Sequence, residues 1–100
     1  MTADGSQGEI PVFLDAAARG AEYLKGIRAR AVAPSAGALA ALERLGGKLS
    51  EKGESPASII RLLDQVGSPG TIANAGGRYF GFVTGAALPA ARAANVLAAA

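Results

Sequence analysis

The apolar positions Phe13, Leu14, Ala17, Ala21, Leu24 and Ile27 recur at spacings of three and four, which is the period of one helix face. Asp15 stands four residues before Arg19 on the polar side, where an ion pair along a helix can form. The spacing predicts an amphipathic helix over roughly 11–30, starting near Pro11. The polar, glycine-containing residues 1–10 before it read as a disordered terminus. Pro34 disfavours helical geometry at Ala33, so the chain breaks there, and Ser35 is placed to cap a second helix that carries Leu39, Leu42 and Leu45 on one stripe. Gly46 and Gly47 supply a left-handed stop. After a charged connector over 48–54, Ser55 followed by Pro56 forms the N-cap and first-position pair of a third helix. Its buried set is Ile59, Ile60, Leu62, Leu63 and Val66, and Gly67 is expected to end it.

The pattern then changes. Residues 67–77 hold Pro69 and four glycines and read as turn and irregular backbone. They lead into Arg78-Tyr79-Phe80-Gly81-Phe82-Val83-Thr84-Gly85, where aromatics alternate with glycines that weaken any strand. The segment 67–88 is therefore expected to be an irregular glycine and aromatic loop on a helical frame. Pro89 opens an Ala-rich helix through Val96 and Leu97 that reaches residue 100 without a cap. The predicted class is mainly α.

Composition narrows the chemistry. One hundred residues amount to one small domain or a piece of something larger, and the hydrophobic half is rich in Ala, with only 3 Phe and 2 Tyr as aromatics. Such a core buries little area, so marginal independent stability and burial against a partner are expected. The net charge of +2, from 10 basic and 8 acidic side chains, is too small to make a nucleic acid the expected partner. With no Cys and no His, disulfides, a thiolate nucleophile, zinc-thiolate sites and the usual neutral-pH base are all excluded.

The remaining motifs give no catalytic or metal site. Gly76, Gly77, Gly81 and Gly85 match neither a P-loop nor a dinucleotide fingerprint, and there is no hydrolase elbow. Asp4, Asp15 and Asp64 are scattered without metal-loop spacing. Arg28 and Arg30 sit where a first helix would end, and there cations complement the helix dipole. The apolar stretch 86–100 is about fifteen residues long and interrupted by Arg92 and Asn95, shorter than the roughly twenty needed to span a bilayer. The first residues lack the features of a secretory signal, so a cytoplasmic location without membrane attachment is expected. Tyr79, Phe80 and Phe82 remain as a core cluster or a ligand platform, since adjacent glycines permit close backbone approach.

Several runs together are similar to a known family. They are Tyr23-Leu24 with Gly26-Ile27-Arg28, then Arg30, Val32, Pro34 and Ser35, the Ser55-Pro56 helix start, and above all Arg78 to Gly85 leading to Leu88-Pro89-Ala90. This arrangement resembles the N-terminal segment of the group II pyridoxal-phosphate-dependent amino-acid decarboxylases, which include the aromatic, glutamate and histidine decarboxylases. The likeness runs from about Ala16 to Ala100 and is most specific in the aromatic stretch. It implies the N-terminal helical arm of an aminotransferase-like (fold type I) enzyme, with residues 11–66 as a three-helix dimerisation arm and 89–100 as the start of a helix that is cut off.

By that resemblance Phe82 and Thr84 would line an amino-acid substrate pocket, braced by Tyr79 and Phe80. Val83 stands where Pro is frequent in the family and Gly81 where Tyr is frequent, so an aromatic substrate is not implied. The family's Schiff-base Lys, pyridine-nitrogen Asp and phosphate cup all lie downstream of this segment. Lys25, Lys48 and Lys52 sit at a helix end and in a polar connector, so the chain alone is expected to bind no cofactor and to contain no complete catalytic domain. The expected role is that of a fragment which meets a second copy or the catalytic remainder of the enzyme. The competing expectation is a stand-alone helical module that docks a protein partner.

Overall fold

The computed structural model describes residues 6–74 and 88–100, and among them the regular structure is entirely helical, with no strand. Four α-helices occur in order: α1 (Ser6–Gly26), α2 (Ala36–Ala41), α3 (Pro56–Leu62) and α4 (Pro89–Ala99). A 3₁₀ turn, Leu42–Leu45, follows α2. A π-helical turn, Leu63–Gly67, and a 3₁₀ turn, Ser68–Gly70, extend α3.

Helix α1 begins five residues before Pro11 and stops four residues before the expected end at 30. Ser6 to Ile10, assigned by sequence to the disordered terminus, are helical. Glu9 in the first turn complements the dipole there, and the helix continues through Pro11, whose missing N–H removes one bond from the ladder. At the other end the ladder tightens: Ala29 N–H bonds the Gly26 carbonyl at 3.1 Å and Ile27 N–H that of Leu24 at 3.4 Å. Arg28 and Arg30 thus lie past the helix, and Lys25 is the basic residue of its last turn.

Both serine caps form as the sequence predicts. Ser35 Oγ accepts from Ala38 N–H at 3.1 Å, and Ser55 Oγ accepts from Ser58 N–H at 3.1 Å, with Pro56 in the first turn of α3. The left-handed position after the second helix is Gly47 alone, at φ +110°, because Gly46 is extended. Gly67 does not end the third helix. It keeps right-handed geometry at φ −74° and ψ −51°, and Ser68 N–H reaches back five residues to the Leu63 carbonyl, widening the turn. Pro69 then stands second in the 3₁₀ turn that Ser68 begins, where its missing N–H has no partner to lose. Helix α4 starts at Pro89 as expected.

The core is small. Among the described residues only Ile27, Val66 and Ala73 are buried, at 8%, 2% and 2% exposure. Of the set predicted to be buried on the third helix, Val66 is buried, Ile60 and Leu62 are half-buried, and Ile59 and Leu63 are exposed. The π turn changes the phase of the stripe: Val66, within it, faces inward, whereas Leu63 at its start stays exposed. The Cα radius of gyration is 15.9 Å, against about 13 Å for a compact chain of this length. Ala73 N–H closes the bundle on the α1–α2 linker with a 2.8 Å bond to the Val32 carbonyl. No helix among the described residues is long and apolar enough to cross a membrane.

Candidate functional site

The best-defined polar cluster lies where α1 and the linker after it meet the 63–71 segment. Arg19, on the inner side of α1, donates from Nε to Asp15 Oδ2 at 2.9 Å and from Nη1 to Asp64 Oδ2 at 2.8 Å. The Asp15 bond matches the pair expected from the four-residue spacing. The Asp64 bond joins α1 to the π turn. Together these bonds, that to Asp15 foremost, hold the Arg19 guanidinium above its ordinary pKa, so it carries its charge at any working pH.

One turn further along, Tyr23 and Arg30 grip the end of the 3₁₀ turn. The Arg30 guanidinium lies 5.4 Å from the Tyr23 ring centroid and donates to the carbonyls of Ser68 at 3.2 Å, Pro69 at 3.4 Å and Thr71. Thr71 Oγ1 donates to the Ser68 carbonyl at 2.7 Å, which leaves its lone pairs to accept from the Tyr23 hydroxyl at 3.1 Å. The Ser68 carbonyl also accepts from the Thr71 N–H at 3.2 Å, and at the end of a helical segment, where carbonyls run out of intrahelical donors, a planar cation with forked donors suits them. Arg30 therefore complements a helix C-terminus after all, but that of the third helical segment and not that of α1.

A shallow cleft follows this junction, lined by Arg19, Tyr23, Asp64, Ser68 and Thr71. Within it Arg19 is bonded to Asp64 and Tyr23 to Thr71, an arrangement that ties segments of the chain together and offers no nucleophile next to a base. Among the described residues no group of three acidic side chains could hold a metal ion. Lys25, Lys48 and Lys52 are all exposed. A second, apolar groove lies between α1 and α4, with Phe13, Ala17, Leu24, Pro89 and Val96 among its walls.

The four residues that the sequence put forward for substrate binding, Tyr79, Phe80, Phe82 and Thr84, lie outside the described residues. Conversely, the roles of Tyr23, Arg30, Asp64 and Thr71 were not foreseen. Their partners are 38 to 48 residues apart in the chain, and no local periodicity encodes such pairs. The chain matches no protein-family model, and neither a characterised protein nor a solved structure shows significant similarity to it.

Proposed function

We propose that the chain is a helical arm of a pyridoxal-phosphate-dependent amino-acid decarboxylase, giving contacts to a partner subunit or to the catalytic remainder of the enzyme. In this reading Phe82 and Thr84 form part of the substrate-pocket wall, with Tyr79 and Phe80 behind them. Apart from the family resemblance, the observation that carries it is the imbalance between core and surface. Phe13, Leu14, Ile59, Leu63 and Val96 are exposed, whereas three residues make up the core among those described. Apolar helix faces of this kind gain stability when a further surface covers them.

The described residues do not suit pyridoxal phosphate itself. The three lysines are exposed, and the Arg19 and Arg30 guanidiniums are engaged by carboxylates and carbonyls, so the Schiff base and the phosphate site are assigned to the catalytic remainder. A saturable visible band on titration with the cofactor, trapped by borohydride on one lysine, would overturn that assignment.

A stand-alone helical interaction module is the second reading, favoured by the Arg19–Asp64 and Arg30–Thr71 ties, which join distant segments within one copy of the chain. Sedimentation and thermal melting of the full chain over a hundredfold concentration range separate the two. The arm reading predicts association that rises with concentration and a transition that moves with it. A sharp, concentration-independent transition of a monomer would favour the module. Sequencing the coding frame past codon 100 supplies an independent check, since the arm reading requires a downstream catalytic lysine.

A further inference from the structure

We draw no further inference here: the strongest candidate, the apolar groove between α1 and α4 walled by Phe13, Leu24 and Val96, is an unpartnered face and nothing in the structure shows what covers it.

Discussion

Arg19 on α1 and Asp64 on the π turn are 45 residues apart in the chain and 2.8 Å apart in the fold. Asp15, on the same helix as Arg19, accepts from Nε and leaves Nη1 free to point across the junction. One guanidinium thus links a local pair to a tertiary one. Arg19→Met should lower the melting temperature modestly, because both carboxylates are partly solvated and exposed ion pairs contribute little. Asp64→Asn should have a smaller effect of the same sign, and high salt should shrink the difference from the parent chain. A double-mutant cycle read by thermal melting checks this, and strict additivity would show that the pair is uncoupled. The sign with pH follows from the raised pKa of Arg19: while its carboxylate partners are charged its contribution is fully present at neutral pH, and on the basic side it is lost only as pH rises into strong alkali.

The Arg30 grip on the Ser68, Pro69 and Thr71 carbonyls should be more sensitive to geometry than to charge. Arg30→Lys keeps the cation but cannot reach several carbonyls from one planar fork, so it should cost about 1 kcal/mol and behave much like Arg30→Met. Tyr23→Phe removes the hydroxyl that Thr71 accepts and should cost about 0.5–1.5 kcal/mol. Hydrogen exchange offers a local readout. The Ala73 amide, bonded to Val32, should exchange faster in all three variants, and unchanged protection there would mean that the grip does not hold the segment.

Ser55 closes the start of α3 through one bond to the Ser58 amide. Ser55→Ala should destabilise the chain by about 1 kcal/mol, whereas Ser55→Gly should cost only a few tenths. Denaturant titration of the two variants separates loss of the cap from loss of a side chain, and an equal cost would point to the latter.

Gly70 is required for a close approach. A Cβ built there would sit 2.6 Å from Leu42 Cδ2 and 2.9 Å from its Cγ, so the Ser68–Gly70 turn packs against the 3₁₀ turn after α2. Gly70→Ala should cost about 1–3 kcal/mol through overpacking. In a Leu42→Ala background the same change should be nearly neutral, because the obstructing branch is gone. A cycle of the four chains in urea tests the contact, and an unchanged cost in the Leu42→Ala background would place the strain elsewhere.

The sequence by itself determined the local features. Ser35 after Pro34, Ser55 before Pro56, the helix start at Pro89 and the Asp15–Arg19 pair each depend on atoms within about one helical turn, and all four are found as read. Hydrophobic period was a poorer guide. The stripe from Ile59 to Val66 implied a buried face, yet only Val66 is fully buried, Ile60 and Leu62 are half-buried, and Ile59 and Leu63 stay exposed, because the widened turn at Leu63–Gly67 changes the phase of the face and the core among the described residues is small. Tertiary packing alone decided that Gly67 would carry a helix onward and not end it. It also decided that Arg30 would serve the end of a segment about 40 residues later, and that Tyr23, Thr71 and Asp64 would meet at one junction. Glycine is compatible with either fate, and a guanidinium can complement any nearby row of carbonyls. The choice in each case depends on which segments come together, and that is set by contacts between distant parts of the chain, which spacing along it does not specify.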